Sequence, residues 1–243
     1  MKSFDYTHAE NDKKIAELKS HFVSMTSHEI RSPLAIMQSI IELMEIQLNR
    51  SNHPANSELN EGIFNLKNEI GRMETLVDNV LVISRINDDK ILINKQPYNI
   101  IELITEVVNR VNLMQADGRK IVFTPFIQQV MLTVDKDIIN HAFENLLSNA
   151  FKYSRGFNAP EINAAITKKS FVFSVTDFGI GIPQNQQQHI FETFYRASNA
   201  KKVKGTGLGL FIVKSFVELL GGAISFNSKE TKGTTFTVKL PLK

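Results

Sequence analysis

The sequence predicts two domains of different class: an all-α helical hairpin over residues 1–88, then an α+β domain with a mixed sheet over residues 89–243. Three observations predict it. Apolar residues recur at helical spacing through the first third of the chain. Asn87-Asp88-Asp89-Lys90 interrupts that pattern, and short apolar runs with glycine-rich turns follow, without regular strand–helix alternation.

From His8 to about Arg50, Ile15, Leu18, Phe22 and Met25 form an apolar stripe that Leu34, Met37, Ile41, Met44 and Leu48 resume. Pro33 lies inside it. An interior proline removes one backbone hydrogen bond and crowds the carbonyl four residues back, which predicts a bend just after His28. Ser51–Asn56 reads as a turn, and a second helix runs from about Ser57 to Ile86. There Leu59, Ile63, Leu66, Ile70, Met73, Val77 and Val80 alternate steps of four and three, a coiled-coil seam. One hairpin has too little bulk to cover both stripes. Pairing two copies into a four-helix bundle solves the burial problem, so a homodimer is expected.

In the second domain Ile91–Ile93 reads as a strand, and Asn99 opens a helix to about Gln115 with Glu102 three residues on, a capping box. Strands are expected at Lys120–Thr124 and Val130–Val134, a helix at Lys136–Tyr153, and a strand at Phe171–Thr176. A short helix should start at Pro183, and another should run from the glycines at 205–209 to Leu220. Ala223–Ser228 and Thr234–Leu240 close the sheet.

Composition narrows the function classes. The net charge of +3 comes without a dense Lys/Arg run, which argues against nucleic acid as a partner. With no cysteine, disulfides and thiolate metal sites are excluded, in keeping with a cytoplasmic setting. No apolar run reaches the length of a membrane span and Met1–Lys14 is polar, so any membrane-bound sensing part is expected outside this chain.

Three stretches carry chemistry. His28 is followed at once by Glu29; a helical histidine beside a carboxylate can serve as a nucleophile, although a lone one is more often a surface residue. On the helix after Asp135, Asn145, Asn149 and Lys152 share one face. Asparagine is a poor helix former. Its carboxamide oxygen can ligate Mg²⁺, and a lysine can meet phosphate oxygens, whereas a solvated polar face is the bland alternative. Asp177 ends a strand and leads into Gly179 and Gly181, where a carboxylate can accept from an exocyclic amine and the backbone can approach a ligand. Gly205-Thr206-Gly207-Leu208-Gly209 feeds a helix N-terminus suited to a phosphate, but no strand leads directly into it as the dinucleotide fingerprint requires.

Together these stretches resemble the bacterial sensor histidine kinases. Ser27-His28-Glu29-Ile30-Arg31-Ser32-Pro33-Leu34 is similar to their H box, residues 145–153 to the N box, 177–183 to the G1 box, 191–196 to the F box and 205–210 to the G2 box, in the family's order. The resemblance implies a phosphoacceptor hairpin followed by a Bergerat-type ATP-binding domain, with ATP and Mg²⁺ as ligands. A homodimer and the receiver domain of a separate response regulator are the implied partners. It makes His28 the phosphoacceptor and Glu29 its acid–base partner. Asn149 becomes the principal Mg²⁺ ligand with Asn145 assisting, and Lys152 and Arg196 become phosphate contacts. Tyr153 would lie near the adenine, Asp177 would bind its amine, and residues 197–204 would form a mobile lid. Gly205, Thr206, Gly207, Leu208 and Gly209 would surround the phosphates.

Two positions depart from the family pattern. Ser32 stands where threonine or asparagine is more usual, which implies at most a weak phosphatase activity, and Thr193 replaces a commonly charged residue. Two rival functions remain: an ATP-driven conformational switch of the gyrase or chaperone kind, and a non-catalytic dimeric scaffold. The first needs a general base, which an amide at 145 cannot supply. Intact motifs speak against the second.

Overall fold

The computed structural model describes residues 32–37, 39–44, 46, 56–87, 91–115 and 117–242. The chain divides into two compact units, residues 1–81 and 82–243. His28, Glu29 and the bend expected after them lie outside the described residues.

In the first unit, residues 32–37, 39–44 and 46 are helical (α1), and α2 spans Asn56–Asn87. Pro33 is buried within the described start of α1, while Ser32 is exposed. Gly62 lets α1 approach: a Cβ there would lie 3.0 Å from Met44 Cε and 3.6 Å from Ile40 Cγ2. Farther along, Leu34 and Met37 share an open apolar groove with Ile70, Met73 and Val77, so the two helices run antiparallel as a hairpin. Ile63, Ile70 and Val77 are each more than a third exposed, whereas Leu76 is 3% exposed on another face.

The last turn of α2 belongs to the second unit, where Ile83 is buried in the core and Val82 and Ile86 pack against it. Residues 91–95 have no regular structure, and Leu92 is 95% exposed, so the strand expected at 91–93 is absent. Pairing begins instead with β1, Gln96–Asn99, antiparallel to β2, Met131–Val134. Between them lies α3, Ile100–Leu113, capped as expected: Asn99 Oδ1 accepts from Ile101 N–H at 3.3 Å and Asn99 Nδ2 donates to Glu102 at 2.9 Å.

Lys120–Thr124 is not a strand either. Asn112 takes both backbone groups of Ile121, accepting from its N–H and donating to its carbonyl, each at 2.9 Å, so Ile121 has nothing left for a ladder. Helix α4, Lys136–Tyr153, has the expected bounds. Asp135 caps it, accepting from Asp137 N–H at 3.0 Å, Ile138 N–H at 3.2 Å and the distant Asn94 N–H at 2.8 Å.

The main sheet holds β3 (Glu161–Ile166), β4 (Ser170–Asp177), β5 (Ala223–Lys229) and β6 (Gly233–Pro241) in the order β3-β4-β6-β5. Every pairing among the described strands is antiparallel, where a mixed sheet was expected. Helix α5, Gly209–Leu219, starts at the last glycine of its loop, and a 3-10 turn at Gln184–His189 replaces the short helix expected after Pro183. The core joins sheet and helices: Phe143 of α4 meets Phe173 of β4 with ring centroids 4.4 Å apart, both fully buried. Each such side chain contributes about 1.5–3 kcal/mol through removal of apolar surface from water.

Candidate nucleotide site

Two glycine-containing segments, 177–183 and 205–209, meet the C-terminal half of α4. Arg119 fixes that end, donating to the carbonyls of Phe151 at 2.9 Å and Ser154 at 2.7 Å, and to Ser154 Oγ at 2.9 Å. The Arg119 guanidinium, paired with Asp117 at 2.7 Å, holds the Asp117 carboxyl below its usual value. On this anchored end, Tyr153 presents its carbonyl to Ile180 N–H at 3.2 Å. Gly179 permits the approach, because any Cβ there would collide with the Tyr153 carbonyl.

Asp177 closes β4 opposite Thr234 of β6 and is 6% exposed. One carboxylate oxygen accepts from Gly179 N–H at 2.9 Å, and the Thr234 N–H also donates to the carboxylate. Burial outweighs both bonds and pushes the carboxyl up to about 6. Burial likewise raises the Tyr153 phenol, against the opposing charge of Arg196.

Asp177, Asn149, Tyr153, Gly181 and Arg196 line one cleft. Its apolar wall comes from Ile180, Ile182, Ile190 and Phe236, none of which the sequence reading had singled out as site residues. Their signal was weak because isoleucine and phenylalanine in short runs look like core.

Asn145, Asn149 and Lys152 are partly buried on one face of α4. The start of α5 sits against them. A Cβ on Gly209 would come within 2.8 Å of Asn145 Oδ1 and 3.7 Å of Asn149 Nδ2, and one on Gly205 would strike the Lys152 amine. Asn145 Nδ2 donates to the His141 carbonyl at 3.1 Å, which leaves its oxygen facing Gly209. The turn between is made by Gly207 at φ +76°, where Cβ would meet the backbone of Phe194, and by Thr206 Oγ1 accepting from Leu208 N–H at 3.3 Å.

Two expected contacts differ in detail. Leu208 is 1% exposed and part of the core, so only its backbone can face a ligand. Arg196 points into the 200–203 segment, donating to the carbonyls of Ala200 at 2.7 Å, Lys201 at 3.3 Å and Val203, while its Nε is buried without a partner. A phosphate contact would require it to give up part of this set. Lys201, Lys202 and Lys204 are exposed. Among the described residues no cluster of His, Asp or Glu could cage a metal. The donor set suits a Mg²⁺ ion held by one or two carboxamide oxygens, with phosphate oxygens completing its coordination. No described helix is long and apolar enough to cross a membrane.

Residues 134–243 match the family model described as histidine kinase-, DNA gyrase B- and HSP90-like ATPase, and residues 18–89 match the His Kinase A (phospho-acceptor) domain. The chain is 32% identical over 236 residues to the sensor protein kinase WalK of Staphylococcus haemolyticus, covering 94% of this chain and 38% of that protein. A Staphylococcus aureus WalK is 32% identical over 240 residues, covering 94% of this chain and 55% of that protein. The chain thus spans about two fifths to a little over half the length of these relatives. The solved Acinetobacter baumannii histidine kinase AdeS shares the fold, with a TM-score of 0.67 at 20% identity over 89% of this chain and 98% of that one. The mycobacterial sensor histidine kinase MprB gives a TM-score of 0.52 at 29% identity over 60% of this chain and 97% of that one. A phosphoacceptor-type helical domain ahead of an ATPase-type domain, with these relatives, places the chain in the sensor histidine kinase family.

Proposed function

We propose that the chain binds MgATP in the 89–243 domain and transfers the γ-phosphoryl group to His28 of the 1–88 domain. The phosphoryl group then passes to an aspartate on the receiver domain of a separate response regulator. The observation that carries this reading is the meeting of Asp177, Asn149, Tyr153 and Gly181 in one cleft beside the N-terminus of α5. A buried carboxylate with one side toward an apolar cleft suits an exocyclic amine. The adjoining amide face and uncapped helix N-terminus suit a triphosphate with its metal. When bound, Mg²⁺ neutralises charge developing on the β- and γ-phosphates.

The chain's own residues supply position and charge. Asp177 orients the base, Asn149 with Asn145 offers carboxamide oxygens, and Lys152 stands by the loop at Gly205. Arg196 joins the phosphates on leaving the carbonyls it now holds. Glu29 orients and deprotonates His28. The amide at 145 lacks the basicity to activate water, which favours transfer over hydrolysis. The exposed Ile63, Ile70 and Val77 of α2 support a homodimer, and dependence on ATP supports a cytoplasmic location. Ser32, exposed one helical turn after His28 in sequence, is assigned a weak phosphatase role toward the regulator.

Incubation with γ-labelled ATP tests the reaction. Label that is acid-labile and alkali-stable is the expected result. Release of inorganic phosphate without protein label would favour the switch ATPase.

A further inference from the structure

Ile182 stands between β4 and the 3-10 turn without belonging to either. Residues 178–183 form no helix or strand, so no ladder holds the backbone that carries this part of the cleft's apolar wall. Two side chains hold it instead. Ser228 Oγ of β5 accepts from Ile182 N–H at 2.9 Å, and Gln187 Nε2 donates to the Ile182 carbonyl at 3.1 Å. The same Gln187 Nε2 donates to the Ser228 carbonyl at 3.0 Å; a carboxamide nitrogen carries two hydrogens, so both bonds form together. Ile182, Gln187 and Ser228 thus close a ring of three hydrogen bonds. The Ser228 hydroxyl also lies 2.8 Å from Thr234 Oγ1, and Thr234 lines the cleft and bonds the Asp177 carboxylate through its N–H. Gly181 lets the loop lie this close to β5, since a Cβ there would collide with the Lys229 carbonyl.

We propose that Gln187 and Ser228 are positioning residues for the base of the bound nucleotide: from behind the cleft they fix the Ile182 stretch of the wall where the base packs against it. The inference rests on the reading that the cleft binds ATP. Neither residue is among those lining the cleft, so they act through Ile182 rather than on the ligand. Without them the Ile182 N–H and carbonyl turn to water and the wall moves. The base must then order the wall as it binds, which costs affinity. The triphosphate is assigned to the amide face of α4 and the start of α5, which these bonds do not touch, so its share of the affinity is independent of them. Gln187 lies between the stretches similar to the G1 and F boxes and Ser228 beyond the G2 box, outside all of them.

Calorimetric titration of the full chain with Mg²⁺ and two ligands tests this: ATP, and ribose 5′-triphosphate, which lacks the base. The original chain should prefer ATP. Gln187→Leu and Ser228→Ala should each weaken ATP about three- to tenfold, as expected for one or two ordinary hydrogen bonds, and leave ribose 5′-triphosphate within about twofold. In labelling kinetics the KM for ATP should rise by the same factor while the rate at saturating ATP stays unchanged. Thermal unfolding without nucleotide checks that the variants fold. Gln187 is half-buried on a short turn, so Gln187→Leu is the milder change and decides the matter if Ser228→Ala unfolds. If Gln187→Leu leaves ATP unchanged or weakens both ligands equally, while Asp177→Asn still loses ATP, the two residues position nothing for the base and the ATP cleft stands. A lower saturating rate with KM unchanged would contradict the proposal as well. Failure of the original chain to bind ATP, or to prefer it over ribose 5′-triphosphate, would remove the ATP reading and this proposal with it.

Discussion

Asp177 carries opposed demands, and they give it a measurable signature. Its carboxyl is raised from 3.8 to about 6 by burial, so the folded chain holds the proton more tightly than the unfolded chain does. The stabilisation linked to that proton is complete below the unfolded value near 4 and is lost as pH rises through about 6. Asp177→Asn should therefore stabilise the nucleotide-free second unit at neutral pH by about 1–3 kcal/mol, visible in thermal unfolding, while removing ATP binding. Affinity of the original chain for ATP should fall on acidification below about 6, as the acceptor takes up its proton; a flat profile between pH 5 and 8 would contradict the assignment. Asn149→Ala should abolish Mg²⁺-dependent labelling more completely than Lys152→Ala, because one lysine among several cations is partly replaceable and a metal ligand is not. Normal labelling by Asn149→Ala would remove it from the metal site. Two polar residues of the cleft stand out in the sequence because their types are unusual where they stand: Asn149, which shares a helix face with Asn145, and Asp177, between a strand and a glycine turn.

Elements were readable where local chemistry and packing agree. Helix α4 has a strong cap in Asp135 and a continuous buried stripe, and it lies where the sequence places it, at about Lys136–Tyr153. Strand β3 went unrecognised because Glu161-Ile162-Asn163-Ala164-Ala165-Ile166 has little β propensity and sits at the sheet edge; its register with β4 makes it a strand. The converse error fell at Lys120–Thr124, whose apolar run looks extended but whose backbone is bonded to the Asn112 side chain. For α4 the clamp by Arg119 gives a test: Arg119→Ala frees the carbonyls of Phe151 and Ser154 and should destabilise the second unit by about 2–3 kcal/mol. Chemical denaturation of the variant measures it, and a loss below about 0.5 kcal/mol would show that water replaces the guanidinium without penalty.

At the scale of the whole molecule, the second unit holds a cleft with an apolar wall, and in the first Ile63, Ile70 and Val77 of α2 are each more than a third exposed. Ile70, 42% exposed, sits in the middle of the α2 seam, and Ile70→Asp should turn a dimer in light scattering into a monomer or unfold the hairpin while ATP binding persists. A monomeric original chain would overturn the bundle. The change of hydrophobic period at Asn87–Lys90 marks the end of α2, whereas the compact units divide at 81/82, because Val82, Ile83 and Ile86 pack into the second core; the strand directions were not legible, since pairing is set by contacts distant in sequence. The central claim is that a nucleotide bound in the second domain phosphorylates one histidine of the first. The most direct measurement compares the original chain with His28→Gln for both γ-phosphoryl label and ATP affinity. The account predicts acid-labile label on the original chain, none on the variant, and affinities equal within a few-fold; acid-labile label persisting on His28→Gln at the original rate would contradict it.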